Sequence, residues 1–386
     1  MDWPGRCSQN WLLNQSSFAC SLPAMRTIPT LFAACILASA LGSTAPAPSS
    51  EDAHTPAQAG ANVIGSHGFD FLFGEWRVHH RRLKADTHKW GEFDGTCRVR
   101  PLLDGSANLE EQVLNSPTGT YRAVGLRSYD AKTAQWSIRW LDGRYPSYPL
   151  DPPVKGGFEN GVGTFYSDYM DNGKPMRVRF LWSHITSTTA RWEQATSADA
   201  GKTWDTNWIM EFQRVSAQSS RHVAKLTQAD AGLTGSHAFD FLVGDWRVRH
   251  RYFRVATRDW KDVDGTCDNR PLMDGWANVE EHMINAPGGA YRAIGLRAYD
   301  PKSQQWLIWW LDGRDPSGGM DPPVKGQFEN GIGTFVGDIM LNGKPVRVRF
   351  IWSQITPTSA RWEQAYSADA GKTWETNWTM NFQRTS

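Results

Sequence analysis

Cysteine is scarce in this chain of 386 residues, which contains only five. Three of them, Cys7, Cys20 and Cys35, lie in an N-terminal segment that we expect to be removed from the mature protein. The other two, Cys97 and Cys267, occupy the same position in two copies of an internal repeat, so no disulfide can form within one copy. This excludes a fold stapled by disulfides. Buried apolar thiols are the favoured interpretation, and a bridge between the copies or a reactive thiol are the alternatives.

An excess of charge of one sign is also missing. The chain contains 41 Lys and Arg against 40 Asp and Glu, for a formal net charge of +1. This balance argues against nucleic acid or an anionic membrane surface as a partner. No stretch beyond the N-terminal segment approaches the roughly 20 apolar residues of a transmembrane helix, so we expect no membrane span. Oligomeric state is not determined at this stage.

The common catalytic motifs are absent as well. The sequence has no Gly-x-Ser-x-Gly elbow, His-Glu-x-x-His, Cys-x-x-Cys, Walker loop or dinucleotide fingerprint. This removes the easily recognised enzyme classes, and we expect neither a cofactor nor a metal ion.

The N-terminal segment has the pattern of an export signal that begins at Met25. A basic residue, Arg26, precedes an apolar stretch from Ile28 to Leu41, and small-residue cleavage sites follow. We therefore expect export to the periplasm or the extracellular space, with a lipoprotein anchored at Cys35 as the alternative. Residues 1–24 are interpreted as a misassigned upstream start, residues 25–45 as a signal peptide and residues 46–64 as a linker.

Tryptophan, in contrast, is abundant, and the chain repeats itself. The 20 Trp residues indicate large cores or ligand-stacking surfaces. An offset of 170 aligns Trp76 with Trp246 and His80 with His250 without a gap, and roughly two-thirds of the aligned positions are identical. A period this long indicates duplication of a whole domain. The predicted copies occupy residues 65–214 and 235–386, joined by a polar linker over 215–234.

Within each copy, alternating apolar and polar residues are separated by turn dipeptides, which favour tight hairpins. In the first copy these are Asp94-Gly95, Asp104-Gly105, Asp142-Gly143, Asn160-Gly161 and Asn172-Gly173. Helical periodicity is confined to a short stretch at Ser66–Phe73, and the Pro-Pro segment from Asp151 to Gly156 is interpreted as a rigid loop. The predicted fold class is all-β, with two tandem antiparallel β-barrels of about 8–10 strands each. The candidate strands of the first copy are Glu75–Leu83, Gly95–Pro101, Asn108–Leu114, Tyr121–Tyr129, Trp136–Leu141, Gly163–Tyr166, Arg177–His184, Ala190–Ala195 and Asn207–Arg214.

Two sequence motifs resemble those of known families. The segment from Phe69 to Trp76 ends in Gly-x-Trp, which resembles the entry to the first strand of lipocalin-like (calycin) barrels. Together with later Arg-x-x-Trp and Ser-x-Asp-x-Gly-x-Thr-Trp segments, it resembles a family of bacterial secreted proteins of unknown function over nearly all of each copy. The resemblance implies a small barrel with a central cavity and no particular reaction.

The second motif, Ser197 to Trp204, matches the Asp-box of sialidase-like propellers and recurs at Ser367 to Trp374. Propellers carry this motif in several blades, whereas here it occurs once per copy. A structural hairpin, closed by the Asp and packed on the Trp, is therefore favoured over a sialidase.

Alternation along the strands selects the candidate site residues. If Trp76 points into the barrel, His80 does too, as a general base, a haem or metal ligand, or a core residue. Asp142 either caps an Asp-Gly turn or provides a carboxylate, and the arginines near Arg177 should face outward. The candidate ligand-binding residues are Trp76, Tyr121, Arg127, Trp140, Trp246, Tyr291, Arg297 and Trp310, and the candidate catalytic residues are His80, Asp142, His250 and Asp312.

Three functions fit these features. The leading hypothesis is an exported protein that binds a small hydrophobic or aromatic molecule in each barrel. The alternatives are a cofactor-independent hydrolase, isomerase or cyclase that uses the His and Asp residues, and a carbohydrate-binding protein with exposed Trp faces. Differences between the copies, such as Arg139 against Trp309, would alter ligand preference if they surround a cavity mouth.

Overall fold

A computed structural model of the chain describes residues 65–84, 87–147, 150, 152–215, 234–254, 257–316, 320, 322–341 and 344–385. The expected upstream segment, signal peptide and linker over 46–64 lie outside these residues, as does residue range 216–233 of the second linker. In the part of the chain that is described, no helix is long and apolar enough to cross a membrane.

Each copy forms a closed barrel of ten antiparallel strands, which confirms the predicted fold class of two tandem lipocalin-like barrels. Every strand pairs with its neighbour along the chain, and β1 closes the first barrel against β10, with Val78 opposite Phe212. The strands of the first barrel are β1 Gly74–Leu83, β2 Trp90–Leu102, β3 Ala107–Ser116, β4 Gly119–Asp130, β5 Gln135–Asp142, β6 Val154–Glu159, β7 Val162–Asp171, β8 Lys174–Ser183, β9 Thr189–Ser197 and β10 Asp205–Arg214. Those of the second are β11 Gly244–Arg254, β12 Asp259–Leu272, β13 Ala277–Ala286, β14 Gly289–Asp300, β15 Gln305–Asp312, β16 Val324–Glu329, β17 Ile332–Leu341, β18 Lys344–Ser353, β19 Ser359–Ser367 and β20 Glu375–Arg384.

The prediction of a rigid loop from Asp151 to Gly156 is wrong for its last residues, because strand β6 begins at Val154. Val154 to Glu159 pairs with β5 on one side and β7 on the other, with Gly156 opposite both Trp136 and Phe165. Two adjacent glycines hid the strand, because glycine lowers strand propensity and interrupts the apolar alternation.

The turns at Asn160-Gly161 and Asn172-Gly173 and the outer face of β8 follow the prediction. The turn predicted at Asp94-Gly95 is wrong, because both residues lie within β2 and pair with β1. Asn160 and Asn172 adopt positive φ angles of 51° and 48°, as tight hairpins require. In the Asp-box, Asp199 accepts hydrogen bonds from the backbone N–H groups of residues 202 and 203 at 3.0 and 2.9 Å, so its role is to close a turn. Phe180 is buried inside the barrel, while Arg179 packs on the Trp204 ring outside it at 4.6 Å.

The two barrels pack against each other through the outer faces of β3–β5 and β13–β15. Leucines such as Leu109 on one barrel and Leu296 on the other join a single apolar cluster. Its contacts are reciprocal: the backbone N–H of Leu103 donates to the Glu281 carboxylate at 2.8 Å, and residue 273 donates in the same way to Glu111. Because these positions differ by the repeat offset, the interface has approximate twofold symmetry.

Arg139 and Trp309 lie in this interface, on outer faces of their strands, so the condition that they surround a cavity mouth is not met. Trp309 is 1% exposed within the shared cluster, and Arg139 donates to Ser128 at 3.3 Å. Alternation was read correctly along β5, but the outer face is buried by the other barrel. The difference between these two residues therefore belongs to packing between the copies.

Candidate ligand-binding site

One end of each barrel is closed by the two 3₁₀ turns that precede the first strand, Gly65–His67 and Asp70–Leu72 in the first copy. The Phe69 ring enters the barrel there, with ring centroids 5.0 Å from Trp136 and 6.0 Å from Trp182. All three side chains are almost completely buried. We call this the plugged end, since aromatic side chains fill it.

Trp76 belongs to the plugged end. Its Nε1 donates to the Leu72 carbonyl at 2.7 Å, and the Arg214 guanidinium covers its ring at 4.1 Å. Trp246 makes the equivalent contacts in the second barrel. Both residues hold the plug against the first strand, and their contact with a ligand stays a prediction.

At the opposite end, the inner surface of the barrel is partly accessible to solvent. Trp140 and Arg82 lie on inner faces, yet both are only half-buried. The Trp208 ring packs edge-to-face on Trp140 at 6.3 Å and on Trp192 at 5.6 Å, which forms an aromatic wall. We use the name distal chamber for this end of the barrel interior. Its inward-facing side chains are His80, Arg82, Tyr121, Trp140 and Trp208 in the first barrel and His250, Tyr252, Tyr291, Trp310 and Trp378 in the second.

His80 forms the floor of the distal chamber. Its ring stacks on Phe93 with centroids 4.6 Å apart, and its Nδ1 accepts a hydrogen bond from Trp208 Nε1 at 3.3 Å. The ring proton therefore lies on Nε2, which has no hydrogen-bond partner among the described residues. Gly95 provides the space, because a Cβ atom there would lie 2.9 Å from Nε2. The floor thus contains a buried N–H donor whose nitrogen faces Gly95 on β2.

Burial, followed by the neighbouring His79 and Arg82, lowers the pKa of His80 to about 3. Burial and the neighbouring His282 lower the pKa of His250 to about 3 as well. Both imidazoles are therefore neutral near pH 7 and act as polar contacts without charge.

These shifts predict loss of stability in acid. Between the folded pKa of about 3 and the unfolded value near 6.5, the unfolded chain binds more protons, so stability falls as the pH falls through that window. We expect each histidine to contribute a loss of about 2 kcal/mol between pH 8 and pH 5. The His80→Gln variant should lose about that much less in urea unfolding at the two pH values. His79→Gln changes an outward-facing neighbour and serves as the control; equal acid sensitivity of His80→Gln and the wild type would contradict the assignment.

Asp142 lies at the rim of the distal chamber and caps its turn. It accepts from the Arg144 backbone N–H at 2.9 Å and from the Arg144 guanidinium at 2.6 Å, and Asp312 does the same with Arg314. Among the described residues, no hydrogen bond or ion pair joins Asp142 to His80. The structure therefore does not bring the expected acid–base pair into direct contact, and its catalytic role stays a prediction.

Tyr121 and Arg127 share the inner face of β4 but lie at opposite ends of the barrel. Tyr121 faces Arg144 at the rim, 3.7 Å from ring to guanidinium. Arg127 is buried against the plug, 4.9 Å from the Phe69 ring, where it pairs with the Glu110 carboxylate. In the second barrel, Arg297 pairs in the same way with the Glu280 carboxylate. The two residues therefore do not form one subsite.

The rims of the two chambers differ in charge. In the first barrel, the Arg82 guanidinium covers the Trp208 ring at 4.4 Å and stands beside the pair of Asp142 and Arg144. Tyr252 occupies the place of Arg82 in the second barrel. The first rim therefore carries one more positive charge than the second.

A row of inward polar residues on β3 and β13 escaped the sequence analysis. Glu110 and Gln112 point into the first barrel and are completely or almost completely buried, as are Glu280 and His282 in the second. The signal is their spacing of two. It was ambiguous because the opposite face of β3 also carries a carboxylate, Glu111, next to the apolar Leu109 and Val113.

Comparisons with known proteins establish no family. No protein-family profile matches the chain, and no curated protein matches it. Among solved structures, it is similar to a protein of unknown function of the DUF3598 family from Nostoc punctiforme, with 11% identity, a TM-score of 0.27 and coverage of 83% of this chain and 99% of that one. It is also similar to an S-type phycobiliprotein lyase from Guillardia theta, with 11% identity, a TM-score of 0.29 and coverage of 39% and 92%. The chain is a tandem pair of lipocalin-like barrels.

Proposed function

We propose that each barrel binds a small apolar or aromatic molecule in its distal chamber, in a protein that works outside the cytoplasm. One observation carries the proposal: the aromatic inner surface is sealed at the plugged end and partly exposed at the distal end. Apolar walls with a few oriented polar groups are typical of small-molecule sites.

The polar groups define the ligand further. The neutral His80 ring at the floor adds a polar contact without charge. In the first barrel, Arg82 at the rim adds a preference for an anionic group, because a guanidinium forms strong hydrogen bonds with oxyanions. In the second barrel Tyr252 takes the place of Arg82, so no guanidinium at this position favours an anionic group. The two chambers are therefore proposed to select an anionic and a neutral amphiphile, respectively.

A matched pair of probes tests the proposal. Anilinonaphthalene sulfonate is an anionic aromatic dye, and phenylnaphthylamine is a closely related neutral one. In fluorescence titrations of the full chain, Trp140→Ala together with Trp310→Ala should weaken both dyes at least about tenfold, since apolar contact area is lost in each chamber. Trp204→Ala together with Trp374→Ala is the control, because these rings pack outside the barrels on Arg179 and Arg349.

The rim exchange provides the second half of the test. Arg82→Tyr should weaken the anionic dye in the first barrel about tenfold and leave the neutral dye unchanged. Tyr252→Arg should produce the opposite change in the second barrel. If neither dye binds with saturation, or if the chamber and control variants behave alike, the proposal is wrong.

Carbohydrate binding has weaker support. Exposed tryptophans of the described chain include Trp90 and Trp260, and arginines cover one face of each at 5.4 and 5.6 Å. These faces are therefore less available for stacking on a sugar.

A further inference from the structure

The second barrel contains a cluster of potential metal ligands that the proposed function does not use. Cys267, Glu280 and His282 place one donor atom each within 4.8 Å of one another, and all three are buried. The Cys267 Sγ lies 3.7 Å from Glu280 Oε2, and His282 Nε2 lies 3.3 Å from Glu280 Oε1.

The strand pairing fixes these donors. Cys267 on β12 lies directly opposite His282 on β13, and Glu280 precedes His282 by two residues on the same inner face. The closed barrel holds both strands on both sides. The three side chains therefore converge from rigid backbone, as a preorganised metal site requires.

The histidines of this region lack the partners that buried imidazoles normally have. Neither ring nitrogen of His282 forms a hydrogen bond of good geometry among the described residues, and the same holds for His250, whose ring centroid is 5.9 Å away. A buried nitrogen without a hydrogen-bond partner lowers the stability of the folded protein. A cation that binds to the nitrogen lone pair offsets this loss.

We propose that Cys267, Glu280 and His282 bind a divalent transition-metal ion of the zinc type. A thiolate, an imidazole and a carboxylate together favour Zn²⁺ or Co²⁺ over Mg²⁺ or Ca²⁺, which prefer oxygen ligands alone. On binding, the Cys267 thiol releases its proton to solvent and the sulfur becomes a ligand. Arg297 donates to Glu280 Oε1 at 2.5 Å, which orients the other carboxylate oxygen toward Cys267.

The first barrel is a natural control within the same chain. Cys97 and Glu110 are retained there, but Gln112 occupies the position of His282. Its amide Nε2 donates to Glu110, so this barrel offers a hydrogen-bonded amide in place of an imidazole. One metal site per chain is therefore expected.

Cobalt titration of the full chain, after treatment with a chelator, tests the inference. We expect one Co²⁺ per chain with a thiolate-to-cobalt charge-transfer band in the near ultraviolet, displaced by Zn²⁺. Cys267→Ser should abolish the band, and His282→Gln should weaken Co²⁺ binding about 100-fold, since one of three protein ligands is lost. The N-terminal cysteines are the same in these variants, so any background from them is constant.

A variant that gains a metal site separates the loss of a ligand from misfolding, because a misfolded protein would not gain a site. Gln112→His should add a second Co²⁺ with the same band, and Cys97→Ser in that background should return the count to one. Absence of a thiolate band in the wild type, or an undiminished band in His282→Gln, would overturn the proposal. Because no organic ligand enters these titrations, their outcome is independent of dye binding in the distal chamber.

Discussion

Replacing Arg127 by methionine is expected to destabilise the first barrel by about 3–5 kcal/mol. Arg127 pairs with Glu110 inside the barrel, and the exposed fractions of the two side chains are only 5% and 1%. It also donates to Asn108 at 2.9 Å. Removing the guanidinium leaves a buried carboxylate without a counter-charge, which is the costly way to break a buried pair.

Urea unfolding followed by circular dichroism measures this loss, and hydrogen exchange over β3 and β4 assigns it to the first barrel. The control is Arg98→Met, which removes a surface pair with Glu75 at 3.7 Å and should cost less than about 1 kcal/mol. Adding Glu110→Gln to Arg127→Met should recover part of the stability, since no unpaired charge remains. An equal, small cost for Arg127→Met and Arg98→Met would show that the buried pair does not stabilise the barrel.

Gly156→Ala is the substitution with the second largest expected effect, about 3 kcal/mol or more. A Cβ atom at this position would lie 2.0 Å from the Thr164 carbonyl oxygen and 2.8 Å from Phe165 Cα. These are backbone atoms of the paired strand β7, so relief requires β6 to move and its short ladders to distort. Gly326 has the same contact in the second barrel, at 1.8 Å from Thr334.

The neighbouring glycine provides a matched control. At Gly157 the nearest atom to an added Cβ is the Ala134 carbonyl oxygen at 4.0 Å, and the second copy carries Gln327 at this position. Gly157→Ala should therefore change stability by no more than about 0.5 kcal/mol. Thermal unfolding should show a Tm lower by roughly 5–10 °C for Gly156→Ala and nearly unchanged for Gly157→Ala. Similar Tm values for both variants would disprove the steric explanation.

Much of the architecture was predictable from short-range features. Asn-Gly pairs located the β6–β7 and β7–β8 hairpins, whereas the Asp94-Gly95 pair lies within β2, and alternation located nine of the ten strands of the first copy. The tenth, β6, was missed because Gly156 and Gly157 interrupt the alternation, although the requirement for glycine at position 156 comes from Thr164 on the next strand.

The site was predictable only in part. His80, Tyr121 and Trp140 all face the barrel interior, as alternation indicated, and their contact with a ligand stays a prediction. Arg127 was assigned to the same ligand surface, but a face shared along a strand of 12 residues extends from one end of the barrel to the other. Likewise, the metal cluster has no sequence motif, because Cys267 and His282 meet only through strand pairing.

The sequence by itself determined the duplication, the all-β class and the hairpin connections, because each depends on identity or on residues a few positions apart. Tertiary structure alone decided which of two faces of a strand is the inside. Along β3 and β4 both faces are buried, one in the barrel and the other against the second copy, so hydrophobicity does not distinguish them. The inward direction of Glu110, Gln112 and their counterparts in the second barrel could therefore be assigned only from the tertiary structure.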